Sequence, residues 1–243
     1  IKSLNMGTVY RYDNPQAMRY REFTQADLDI IGTMNPAAEA ELIAAVIDIV
    51  QELGFTDFYV RINDRRIINA LLIQCEIPEE KMKEAMRVLD KLDKIGMDGV
   101  MKELERQKIS SKMCTFLDNP LSQLKKELEK GSRDMSGIIA LEKIMNILDG
   151  QKKSKFVKFD ASLVRGLEYY TGPVFELFAG AKVSVGGGGR YDNLIKTLGG
   201  PDLPAVGISF GVDRLLDLLI EKYDEPSVDV FVIPIGPPFN EAQ

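Results

Sequence analysis

"RYDNPQAMRYREFTQADLDIIG", residues 11–32, carries four acids and three arginines, yet it reads as two β-strands folded about a turn. Asp13, Asn14 and Pro15 are turn formers at the bend, which gives strands over 4–12 and 20–31. Alternate residues of an extended chain share a face. Arg21, Phe23, Gln25, Asp27 and Asp29 fall on one side; Tyr20, Thr24, Ala26, Leu28 and Ile30 make the better core. The polar side is then either a solvated edge or the wall of a pocket. Its mixture favours the pocket, because a polar small molecule needs a stacking ring, a fork donor and acceptors together.

Working outward, "NPAAEAELIAAVIDIVQELG" (35–54) has Asn35 as a cap, Pro36 in the first turn and a terminating Gly54. Leu42, Ile43, Val46, Ile47, Val50 and Leu53 form one apolar helical stripe. "TDFYVRIN" (56–63) is a strand, with a short helix from about Asp64. From Pro78 to Leu148 the texture turns charged and helical. Residues 72–155 hold 17 Lys+Arg against 15 Asp+Glu, and the remainder 14 against 22. Residues 73–155 therefore read as a helical insertion between two parts of one domain, 1–72 and 156–226. Its charges are solvated helix faces or, alternatively, a contact for a polyanion.

Strand character returns in "KFVKFDASLVRGLEYYTGPVFELFA" (155–179). "KVSVGGGGRYDNLIKTLGG" (182–200) runs strand, glycine stretch, helix, and "AVGISFGVDRLLDLLIEKY" (205–223) runs strand, helix. Past Pro226, "VDVFVIPIG" opens something new at 227–243. A β-rich body interrupted by helices predicts an α+β fold built on an antiparallel sheet.

The net charge of −6 and pI near 5.0 exclude a globally basic nucleic-acid binder, so any polyanion site is a local patch. There is no histidine, which removes Ser-His-Asp and Cys-His catalysis and imidazole metal ligands. Two distant cysteines, Cys75 and Cys114, form neither a disulfide framework nor zinc spacing and suit a reducing cytoplasm. No apolar run is long enough for a membrane span, and no dedicated metal cage is expected. The chain starts at Ile1 within strand-like sequence and stops just after a new strand, so both ends read as cuts.

Three further stretches can carry chemistry. In "VRGLEYYTG" (164–172), Arg165 and the Tyr169–Tyr170 pair stand at a strand entry; one tyrosine can be core and the other exposed. The glycines of "VGGGGRYDNL" (185–194) permit close backbone approach to a ligand or a loose turn, and match neither phosphate-loop spacing. Arg214, near the start of an amphipathic helix, is a surface ion-pair residue or a site residue.

Taken together and in this order, these stretches resemble the histidyl-tRNA synthetase family of class II aminoacyl-tRNA synthetases. Residues 11–32 resemble the family's motif 2 hairpin, "LVRGLEYYTGPVFEL" its histidine-specific stretch, and "GGGGRYDNL" with "AVGISFGVDRLL" its glycine-rich strand and motif 3. The resemblance implies a class II antiparallel sheet flanked by helices, with a helical insertion. It implies ATP, with Mg²⁺ accompanying it, L-histidine and the histidine tRNA as substrates, and a homodimer. Arg11 and Arg165 are implied as the catalytic pair on the α-phosphate. Asp13, Arg19, Phe23 and Arg214 would join Arg11 around ATP: Phe23 under adenine, Arg214 over it, Arg19 on the outer phosphates. Gln25, Asp29, Arg165, Tyr169, Tyr170 and Tyr191 would hold histidine. Asp13 and Asp29 stand where the family commonly has glutamate. The family's motif 1 is expected before Ile1, and an anticodon-binding domain from about residue 227; the chain alone is expected to be inactive or impaired. The rival implied by the same fold is a non-catalytic, histidine-binding regulatory subunit of ATP phosphoribosyltransferase, which has no reason to keep Arg11, Arg165 and Arg214 together.

Overall fold

In the computed structural model, residues 1–12, 14, 19–165, 169–180 and 184–220 are described. Asp13 and the segment expected at 227–243 lie outside them.

The opening hairpin forms as β1 (Lys2–Tyr10) and β2 (Glu22–Ile31), paired from Lys2↔Ile30 to Tyr10↔Glu22. Both strands are shifted slightly from the expected bounds. Arg11 lies just beyond β1 and continues the hairpin pairing, its backbone N–H donating to Arg21 O on the returning arm at 2.8 Å. Ala26 and Ile30 are buried, while Phe23, Gln25, Asp27 and Asp29 on the other side are half-buried. The polar side is thus neither core nor open surface.

Helix α1 (Ala37–Glu52) starts where Asn35 Oδ1 accepts the Ala37 N–H at 3.0 Å. Its predicted stripe is buried from Leu42 to Val50, with Leu53 at the margin. Strand β3 (Phe58–Asp64) leads into α2 (Arg65–Gln74), capped by the Asp64 carboxylate on Arg66 N–H. Four helices follow: α3 (Glu79–Leu89), α4 (Leu92–Arg106, kinked at Gly96), α5 (Leu121–Lys130) and α6 (Ser136–Gly150). Helices α3 to α5 bury apolar stripes such as Val88, Leu104, Leu124 and Leu128, so many of their charges face outward. Helix α6 packs on α1, α2 and β3, with Ile138, Leu141, Ile144 and Leu148 fully buried. The helical stretch and the sheet therefore share one apolar core.

The chain returns through β4 (Val157–Phe159), β5 (Pro173–Ala179), β6 (Gly186–Arg190), the short α7 (Leu194–Thr197), β7 (Ala205–Gly211) and α8 (Val212–Ile220). The sheet order is β1-β2-β7-β6-β5-β3-β4, antiparallel throughout except for the parallel β3–β4 pair at its edge. The glycine stretch is not a turn. Gly186–Gly189 are themselves the strand β6, between β5 and β7.

Crowding from both sides explains a strand of glycines in mid-sheet. A Cβ on Gly188 would lie 2.6 Å from Ile208 Cα and 2.8 Å from the buried Phe175 ring. On the opposite face, a Cβ on Gly187 would lie 2.9 Å from Arg165 Cζ, and one on Gly189 3.0 Å from the Tyr170 ring. Glycine normally weakens a strand; here it admits a core ring below and two site side chains above.

Candidate active site

Register puts the polar residues in rows across one face. Asp29 on β2 lies opposite Gly207 on β7, and Gly207 opposite Gly189 on β6. In the next row Asp27, Ser209, Gly187, Glu176 and Arg61 are successive cross-strand partners. The glycines leave the middle of this face open, and side chains from outside the sheet fill it.

A cleft of ≈ 170 Å³ opens there, lined by Arg11, Phe23, Gln25, Arg165, Ser184 and Arg214 together with backbone of β6 and β7. Arginines from three segments of the chain therefore converge on one space. The Arg11 guanidinium lies over the Phe23 ring, 4.4 Å from its centroid, and its Nε donates to Tyr20 O at 2.8 Å. Arg165 Nη2 reaches Glu176 Oε1 at 2.7 Å and Ser184 Oγ at 3.0 Å. Arg214 Nη1 donates to Ser184 O at 2.7 Å. Burial, and then the like charges of Arg11, Arg165 and Arg19, lower the pKa of Arg214 from its usual value. A guanidinium stays protonated regardless, so the clustering creates a positive potential that an anion would relieve.

Arg165 also borders a second, larger cleft of ≈ 450 Å³, with Arg19, Arg61, Lys94, Tyr169 and Tyr170 on its walls. Arg19 thus lines this second cleft and is not among the residues around the first.

Beside the arginines stands a polar aromatic corner. Tyr191 donates its hydroxyl to Asp29 Oδ1. Tyr169 packs on Tyr170, centroids 4.2 Å apart, and meets Tyr191 edge-on at 6.4 Å. Gln25 Nε2 donates to Asp27 Oδ1 at 2.7 Å. Burial foremost raises the Tyr170 pKa, with a hydrogen bond to Tyr169 adding to it; burial and then the Asp29 carboxylate raise that of Tyr191. Both phenols stay protonated, and the Tyr191 proton is the one donated to Asp29 Oδ1. Next to Tyr191 in the chain, Arg190 is buried. Arg190 Nε bonds Glu39 Oε1 at 2.6 Å, and its Nη1 bonds Thr33 O and Asp192 Oδ1 at 3.0 Å each.

Asp29 is pushed above its ordinary carboxyl pKa, chiefly by burial and also by Asp27, with the Tyr191 hydroxyl acting against the shift. A raised carboxyl pKa means the unfolded chain ionises first as pH climbs. Its contribution to stability is therefore full below the unfolded value and is lost as pH rises through the folded one. Asp29→Asn should therefore gain in thermal midpoint relative to the unsubstituted chain as pH rises through the weak-acid range. An unchanged difference across that range would refute the shift.

Sequence reasoning missed Glu176, Ser184, Glu39 and Arg190. A carboxylate inside the apolar run "PVFELFA" was the available signal for Glu176.

The strand order, the flanking helices and the arginine-lined cleft over the sheet define the catalytic-domain architecture of class II aminoacyl-tRNA synthetases. A family profile for histidyl-tRNA synthetase matches residues 2–215, and the chain belongs to that family. It is 38% identical to the histidine–tRNA ligase of Leifsonia xyli over 98% of this chain and 58% of that protein. It is 38% identical to that of Aeropyrum pernix over 91% of this chain and 52% of that one. The chain spans about half the length of these relatives. Among solved structures it superposes on histidyl-tRNA synthetase from Nostoc with a TM-score of 0.79 at 27% identity, covering 91% of this chain and 54% of that one. It also superposes on a Bacillus halodurans protein described as an ATP phosphoribosyltransferase regulatory subunit/histidyl-tRNA synthetase, TM-score 0.74 at 26% identity, covering 90% and 58%.

Proposed function

We propose that this chain forms the active site of a histidine–tRNA ligase, which activates L-histidine with ATP and passes it to the 3′ end of its tRNA in the cytoplasm. The observation that carries the reading is the convergence of Arg11, Arg165 and Arg214 on one cleft beside the Asp29–Tyr191 pair. Adenylate formation brings a carboxylate onto the α-phosphorus of ATP and expels pyrophosphate. Two anions must approach, and charge grows on the phosphoryl oxygens. The attacking carboxylate is already ionised, so no general base is needed and a chain without histidine loses nothing. The requirement is positioning and fixed positive charge, which permanently ionised guanidiniums supply.

In this reading Arg11 and Arg165 take the α-phosphate. The adenine ring would share the Phe23 face now covered by Arg11, with Arg214 opposite; Asp13 completes the adenine end and Arg19 meets the outer phosphates. Mg²⁺ would arrive on the nucleotide's own phosphates. The imidazole needs an acceptor for one ring nitrogen and a donor for the other; Asp29 and a tyrosine hydroxyl suit these, with Gln25, Tyr169, Tyr170 and Tyr191 around them. Residues 73–155 would serve as an insertion domain between the catalytic parts 1–72 and 156–226, with an anticodon-binding domain opening at 227–243. A homodimer is proposed through the side of the sheet where β1 exposes Leu4, Met6 and Tyr10.

The test is histidine-dependent ATP–pyrophosphate exchange by the full-length protein. Exchange with histidine and not with other amino acids is expected. Histidine binding without exchange would instead favour the regulatory-subunit reading, which the Bacillus halodurans likeness keeps in play. The arginine set argues against that rival, because a subunit that only senses histidine has no phosphate to hold.

A further inference from the structure

On the sheet face that carries the site, Glu176 occupies β5 directly between Arg61 on β3 and Gly187 on β6. The missing side chain at Gly187 makes the space in which the Arg165 head group rests. Glu176 is buried, at 8% exposure, in a strand whose other residues are apolar or proline. An isolated carboxylate would not tolerate that position. It is sustained by two guanidiniums, one on each oxygen. Oε1 lies 2.7 Å from Arg165 Nη2, and Oε2 lies 3.9 Å from Arg61 Nη1.

The two arginines differ in what else holds them. Arg61 is anchored on every side: Nε on Asp160 at 2.7 Å, Nη1 on Asp93 at 2.8 Å and Nη2 on Ser162 at 3.2 Å. Asp93 belongs to α4, so this anchor also joins the helical stretch to the sheet. Arg165 stands on a loop, and its side chain is 38% exposed where two clefts meet. Among the described residues it bonds Glu176 and Ser184, both through Nη2. Both contacts use the same terminal nitrogen, and Nη1 lies over Gly187, so the plane of the guanidinium is fixed.

We propose that Glu176 is the positioning residue for Arg165. Pinned from behind by Arg61, its carboxylate holds the guanidinium at the wall shared by the two clefts, and Ser184 sets its second contact. This role rests on the histidine-activation reading. An arginine on a flexible stem has many rotamers, and displacing a reacting contact by about 1 Å can cost about 10²-fold in rate. Glu176 also lies on the wall of the larger cleft; the role assigned to it acts through Arg165.

The test is a double-mutant cycle on the full-length protein, read as histidine-dependent ATP–pyrophosphate exchange. Glu176→Gln should lower kcat by about tenfold to 10²-fold, with little change in KM for ATP. In an Arg165→Ala background the same substitution should cost almost nothing further, because the group that it positions is gone. Glu176→Asp, which keeps the charge, should recover part of the loss. Equal losses in both backgrounds would mean that Glu176 merely supports the fold, and would overturn the proposal, as would unchanged kcat in Glu176→Gln. Should that variant not fold, Ser184→Ala takes its place in the cycle: a loss confined to the Arg165 background supports the positioning of Arg165, and equal losses overturn it. Failure of the unsubstituted protein to exchange would instead overturn the activation reading itself, and this inference with it.

Discussion

Arg165→Ala in the full-length protein is expected to reduce histidine-dependent ATP–pyrophosphate exchange by roughly 10²–10³, the usual cost of deleting one preorganised donor to developing charge. Among the described residues Arg165 alone borders both clefts, which in the proposed reading lets it meet both the phosphate and the carboxylate attacking it. Its loss falls on the step in which negative charge concentrates, so kcat should carry most of the effect. The fold should survive, because removing a half-exposed arginine leaves Glu176 still facing Arg61. A lysine at 165 would keep the charge but lose the planar fork that meets both Glu176 and Ser184 through one nitrogen, so Arg165→Lys should rescue little. Retention of near-normal exchange by the alanine variant would remove Arg165 from the reaction and the proposed mechanism with it.

The largest effect on stability should come from a single methyl group. In Gly188→Ala, the new Cβ meets the Gly207 carbonyl and Ile208 Cα on β7, and the Phe175 ring beneath. Backbone atoms cannot rotate away as a flexible side chain can, so β6 and β7 must move apart. Overpacking of this kind costs about 1–3 kcal/mol or somewhat more, which for a chain of this size lowers the thermal midpoint by about 2–4 °C per kcal/mol. Gly187→Ala offers a contrast. Its methyl meets chiefly the Arg165 head group, a movable neighbour. That variant should stay better folded while losing exchange through displacement of Arg165. Equal thermal midpoints for the Gly188 and Gly187 variants would contradict the packing described here.

Several parts of this architecture were readable along the chain because they depend on neighbours in sequence. Residue alternation in 22–31 separated Ala26 and Ile30 from Gln25 and Asp29, and the helical spacing of Leu42 to Val50 marked the core side of α1. Asn35 announced a helix start by side-chain chemistry alone. The site residues Arg11, Arg165 and Arg214 were named through a family resemblance; read singly, each was as compatible with an exposed ion pair. The glycine run was the least legible feature. Four consecutive glycines have weak strand propensity, and local reasoning allowed a turn; a central strand results because Phe175, Arg165 and Tyr170 occupy the places where side chains would stand. Glu176 was passed over for the same reason, since its partners lie 11 positions upstream at Arg165 and across the sheet at Arg61.

Local periodicity and capping chemistry were enough to define most of the elements and the polar side of the hairpin, while the chemistry of the site was legible only through the family resemblance. Strand neighbours are another matter, because pairing joins residues far apart in sequence and leaves no periodic trace. The insertion of β6 between β5 and β7 placed Arg61, Glu176 and Gly187 in one row, opened room over Gly187 for Arg165, and so gathered guanidiniums from residues 11, 165 and 214 around a single cleft.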